Sequence, residues 1–138
     1  MKKMKITILS ILLVMIAASC STTPKDESGK PVVHANRVKI VMYDSKERTR
    51  STSTEVFDLS RGGKAPIRPY KVIALLTCEG TVNEETDMLN AIIYRARQLG
   101  ADGLVIRPPA RTFGLLWTDL GERRLFSGQA IVWLDAGN

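Results

Sequence analysis

The chain has 138 residues, 44% hydrophobic and 25% charged, with 20 Lys and Arg against 14 Asp and Glu for a formal net charge of +6. That length fits one domain with its own core, and the apolar fraction is too high for a chain disordered throughout. The basic surplus is largely removed once the first residues are set aside, and no later segment strings basic residues together or interleaves them with aromatics, which argues against nucleic-acid binding.

The opening, MKKMKITILSILLVMIAASC, places Lys2, Lys3 and Lys5 ahead of an apolar run over residues 6–18, broken by Thr7 and Ser10, with small residues before a cysteine. This is the plan of a signal peptide. A spanning helix needs about 20 apolar residues, and the run passes directly into STTPKDESGKP, which does not suit hydrocarbon. Residues 16–20, IAASC, resemble the bacterial lipobox, departing from its commonest form at Ala17. The resemblance implies that residues 1–19 are a lipoprotein signal peptide and that Cys20 becomes acylated. The protein is then held to a membrane through the lipid on Cys20. In an envelope with two membranes, Ser21 after the lipidated cysteine implies the outer membrane, facing the periplasm. Removing the leader with its three lysines leaves 119 residues bearing 17 basic and 14 acidic side chains.

Two cysteines in an oxidising compartment ordinarily suggest a disulfide. With Cys20 lipidated, Cys78 has no partner in the chain. It is then either a buried thiol in an apolar strand or an exposed one that pairs with another protein.

Residues 20–36 read as a lipidated cysteine followed by a flexible tether, since STTPKDESGKPVVHAN is polar and poor in core-forming residues. His34, the only histidine, falls in this segment and reads as solvated surface. A single domain is expected over residues 37–138. Its first strand, residues 38–43, alternates Val38, Ile40 and Met42 with Lys39, Val41 and Tyr43, the pattern of a half-buried strand. A hydroxyl-rich charged loop, SKERTRSTST, leads to a second strand over residues 54–59 and a turn at Arg61, Gly62, Gly63 and Lys64.

Pro66 and Pro69 precede YKVIALLTC, residues 70–78, apolar on both faces and so expected inside a sheet. Thr81 to Glu84 fit a capping box. The helix beyond carries Met88, Leu89, Ile92, Ile93, Ala96 and Leu99 at helical spacing, with Gly100 as its stop. A strand at residues 103–106 is expected to end at Pro108 and Pro109. Strand, helix and strand in that order predict a right-handed βαβ unit. The segment PPARTFGLLWTDLGERR is long and apolar for a loop, and a hairpin extension or short packed segment is expected there, before a last strand over residues 128–134. The fold class expected is α+β, in two layers: a mixed sheet of about five strands with one principal helix on one face.

The stretches IRPYKVIALLTCEG, NEETDMLNAIIYRARQLGADGLVI and FSGQAIVWL together resemble small bacterial envelope lipoproteins with such a domain. They are distantly similar to the Rcs-pathway stress-sensing lipoprotein and the YbjQ-like heavy-metal-binding domain family. The resemblance implies structural roles for Ala96, Gly100 and Asp102: close helix packing, a left-handed turn, and a cap into the next strand. It does not carry over the stress sensor's paired disulfides, because only Cys78 is available. Nor does it carry a metal site, because one cysteine and one distant histidine fall short of a tetrahedral set.

No Ser–His or Cys–His pair, P-loop or paired-carboxylate site is legible, so no cofactor, metal or catalysis is expected. The acids at residues 79–87 read as helix-dipole partners. The expectation is a non-catalytic envelope interaction or sensing module, with Arg68, Tyr70 and Trp117 as candidate binding residues and an envelope protein or cell-wall component as partner. The alternatives are a small-ligand or metal carrier, or a thiol-reactive protein using Cys78.

Overall fold

The computed structural model describes residues 23–112 and 123–135. Its framework is a five-stranded sheet formed by β1 (Lys39–Met42), β2 (Glu55–Asp58), β3 (Tyr70–Thr81), β4 (Gly103–Thr112) and β5 (Arg123–Trp133), in the order β1-β3-β5-β4-β2. One helix, α1 (Glu85–Gln98), covers one face. The architecture is the expected mixed-sheet α+β fold. β3 and β4 run in the same direction on either side of the helix connection. They are not neighbours, because β5 lies between them and pairs antiparallel with both. The βαβ unit is thus split, and among the described residues the one parallel pairing is β2 with β4.

Alternation along the strands assigns the two faces. Ala74, Leu76 and Cys78 of β3, Phe126 and Ala130 of β5, and Leu104 and Ile106 of β4 meet Met88, Leu89, Ile92 and Ala96 of α1 in one buried cluster. Between Val72 and Ala74 the register with β5 shifts, and the extra residue, Ile73, is buried in the same cluster. Gly128 leaves room for neighbouring side chains of β4 and α1. A Cβ there would meet Leu104 Cδ1 at 2.8 Å and Ile92 Cγ2 at 3.2 Å.

The helix begins as its sequence dictates. Thr81 and Glu84 form the capping box, with the Thr81 N–H donating to Glu84 Oε2 at 3.0 Å, and a 3-10 turn over Val82–Glu84 leads into α1. Its end matches too: Gly100 has φ +70, and a Cβ would lie 2.4 Å from the Thr49 carbonyl oxygen. Asp102 accepts from the Trp133 N–H at 2.9 Å, which fastens the end of β5.

Three expectations are corrected. First, β1 is exposed along its whole length; it is an edge strand covered on neither side, so alternation did not translate into half-burial. Second, Pro108 and Pro109 do not end β4. The strand continues to Thr112 with a register shift between Arg107 and Ala110, in the part of β4 that extends beyond its pairing with β2. Proline lacks an amide donor and is tolerated where a ladder hydrogen bond is absent. β4 and β5 thus form the arms of a hairpin out to Thr112 and Arg123.

Third, residues 24–36 of the expected tether over 20–36 are folded onto the domain. Pro24 to Val32 form a tight loop, with Lys25 bridging Pro31, the Val32 N–H donating to the Pro24 carbonyl at 2.7 Å, and Asp26 Oδ1 accepting from the Ser28 and Lys30 amides. Val32 and Ala35 then pack on Ala91 and Tyr94, residues of α1 beside its sheet-facing stripe. Arg95 clamps the segment, its Nε donating to the Ala35 carbonyl at 2.9 Å and its Nη2 to Asn36 Oδ1 at 3.2 Å. His34 is 5% exposed rather than solvated. Average composition conceals these few inward-facing side chains in a polar stretch.

Candidate functional site

Among the described residues no α-helix packs on the face of the sheet away from α1, although Val105 and Ile131 on that face are buried. Across it, the register sets Val41, Leu75, Gln129, Val105 and Phe57 in one row. Beside this row, β2 and the chain returning to β3 enclose an open groove of about 440 Å³. Its residues include Glu55, Phe57 and Asp58 from β2, Lys64 and Arg68 from the return, and Trp133 from the end of β5.

The groove follows from local structure. Asp58 closes β2, accepting from the Ser60 amide at 3.0 Å, and the Gly63 amide donates back to the Asp58 carbonyl at 2.9 Å. Gly62, at φ +78, makes the reversal. The chain then reaches β3, where the Leu134 N–H binds the Pro69 carbonyl at 3.0 Å. Trp133 lies on the open face with Ile131 and Gln129 by alternation, its backbone held by Asp102. Phe57 meets the Trp133 ring edge to face at 5.9 Å, and the Arg68 guanidinium stacks over the same ring at 4.9 Å. An aromatic floor is thus flanked by acids on the β2 side and bases on the other. Ile67, at the rim, is 97% exposed.

Of the residues expected to bind, Arg68 is in the groove. Tyr70 is the cross-strand partner of Trp133, adjacent to the groove but outside its lining. Trp117 and Cys20 lie outside the described residues. The sequence reading missed Phe57 and Trp133. The available signal was the alternation of Gln129, Ile131 and Trp133, which puts a large aromatic at the uncovered end of a strand.

A second polar cluster lies at the start of α1. His34 Nε2 is 3.4 Å from Glu84 Oε1 without hydrogen-bond geometry, and Arg37 Nη1 approaches the same oxygen at 3.5 Å. The Thr81 amide holds the Glu84 carboxyl below the usual range, with His34 and Arg37 reinforcing it. Cys78 is 1% exposed, and burial pushes its thiol up while Arg37 draws it partly back. A protonated, occluded thiol is a poor nucleophile. Labelling of the folded protein with a thiol reagent is therefore expected to run about 100-fold or more slower than in denaturant, because reaction must await opening of the core. Equal rates would show an accessible Cys78 and favour the thiol-reactive alternative.

Among the described residues no three His, Cys, Asp or Glu side chains gather where they would hold a metal ion, and no helix is long and apolar enough to cross a membrane. No family model and no curated protein matches the chain. Among solved structures, a virulence factor of Francisella, FvfA, is similar over 67% of this chain and 94% of its own, at 16% identity and a TM-score of 0.44.

Proposed function

We propose that the protein is a lipid-anchored, non-catalytic interaction module of a bacterial envelope, which receives an extended segment of a partner protein in the groove beside β2. The observation that carries this reading is the aromatic floor of Phe57 and Trp133, capped by Arg68, directly alongside a sheet edge. Among the described residues β2 pairs on one side only, with β4. An extended peptide that adds to such an edge gains main-chain hydrogen bonds, while pockets for alternate side chains set specificity. Here the floor suits an apolar or aromatic side chain, and the charges on both walls suit polar groups flanking it. Cys20 supplies the anchor, and outer-membrane attachment facing the periplasm is the placement proposed for a two-membrane envelope.

Photocrosslinkers placed at Arg68 and at Ile67 in intact cells are expected to capture one discrete partner, which a probe at exposed Lys46 does not. Trp133→Ala is expected to lower the Ile67 adduct about tenfold or more, as for a central aromatic anchor. Adducts at positions 67 and 68 indistinguishable from those at position 46, or unaffected by Trp133→Ala, would overturn the groove as the binding site.

A further inference from the structure

We infer that the docked strap over residues 24–37 lays the helical side of the domain against the lipid surface and turns the open sheet face away from it. The inference rests on the proposal that Cys20 carries the lipid. If it does, the distance available to the domain is set by where packing begins. Pro24 is already held by the Val32 amide, and Lys25 is bridged to Pro31. Only Ser21, Thr22 and Thr23 lie between the acylated residue and that point. Four extended steps from Cys20 to Pro24 reach about 14 Å at most, against about 55 Å had the chain been free through residue 36. The larger reach would let the domain tumble; the smaller one keeps the strap beside the bilayer.

The strap itself is fixed to α1. Val32 and Ala35 are buried against Ala91 and Tyr94, and Arg95 makes two hydrogen bonds to it. Because α1 covers the face opposite Phe57 and Trp133, a strap held near the membrane directs the groove outward. The strap surface suits lipid headgroups. Lys25, Lys30 and Arg37 are exposed on it, Val33 is 59% exposed among them, and the Asp26 carboxylate is occupied by the Ser28 and Lys30 amides. Cations that meet phosphates beside an apolar side chain that meets the acyl boundary are the chemistry of a surface-lying contact.

The test uses the full protein, purified with its lipid and reconstituted in phosphatidylethanolamine and phosphatidylglycerol vesicles that contain a nickel-chelating lipid. Nitroxide labels are placed at Val33→Cys on the strap and, in a second sample, at Ile67→Cys on the groove rim. Headgroup nickel is expected to relax the label at 33 several-fold more strongly than that at 67. Inserting twelve Gly and Ser residues between Thr22 and Thr23 is expected to bring the two toward equality. Equal relaxation in the uninserted protein, with acylated Cys20 verified by mass, would overturn the orientation alone. A difference unchanged by the insertion would overturn the short link as its cause. A mass showing no lipid on Cys20 would overturn both the anchor and the orientation.

Discussion

Cys20→Ala is expected to abolish incorporation of labelled fatty acid and to shift the protein almost completely from the membrane fraction to the aqueous one. The size of the effect follows from the anchor. Each buried methylene contributes about 0.8 kcal/mol, so a single acyl chain binds marginally while two or three bind persistently. The exposed cations and Val33 on the strap form a surface contact, which does not replace that energy. On this proposal Cys20 is both the lipid acceptor and the residue at which the lipoprotein leader is cut, so release of the variant runs through a different cleavage. Ala17, Ala18 and Ser19 still permit cleavage of the ordinary secretory kind. Fractionation of cells expressing the variant, with fatty-acid labelling in parallel, measures both effects. Unchanged labelling together with membrane retention would assign the anchor to another residue.

Phe126→Ala is expected to destabilise the domain by about 3–5 kcal/mol. Phe126 is fully buried on β5, directly across from Cys78 of β3, in the cluster beneath α1. The backbone of a central strand paired on both sides is poorly able to close over the space left. A domain of this size has about 5–15 kcal/mol of stability in all, so thermal denaturation is expected to fall by about 12–30 °C. The same opening bares Cys78, and thiol labelling of the variant is expected to accelerate in step with the lost stability. A shift of only a few degrees would show that the sheet and α1 repack freely around position 126.

Legibility in the sequence depended on how local each determinant is. The helix was readable at both ends, because Thr81 with Glu84 and the left-handed Gly100 are signals complete within a few residues. The apolar character of β3 was likewise enough to place it inside the sheet. Strand order was not, because nothing in residues 123–133 says that they insert between β3 and β4 rather than beside either. The exposure of β1 follows from its place at the edge, a property of the assembled sheet. Pro108 and Pro109 read as a stop on local grounds, yet β4 has no second neighbour at that level and continues past them.

The candidate site divides the same way. Arg68 stood out through its own chemistry beside two prolines, whereas Phe57 and Trp133 are 76 positions apart and become one floor only when β5 has been placed. The strap was misread because three inward-facing residues, Val32, His34 and Ala35, are diluted by polar neighbours. Tyr94 and Ala91, off the main helical stripe, are their counterpart on α1 and hinted at a second covered side.

The split arrangement of β3, β5 and β4 also sets a schedule. The strand at the middle of the sheet is the last of the five in chain order, so β3 and β4 have no shared neighbour until residues 123–133 are present. Such distant pairings slow folding, because loops must close before the contacts that reward closure can form. A nascent chain lacking β5 therefore cannot complete the sheet, a delay that would suit threading through a membrane if the proposed envelope placement holds.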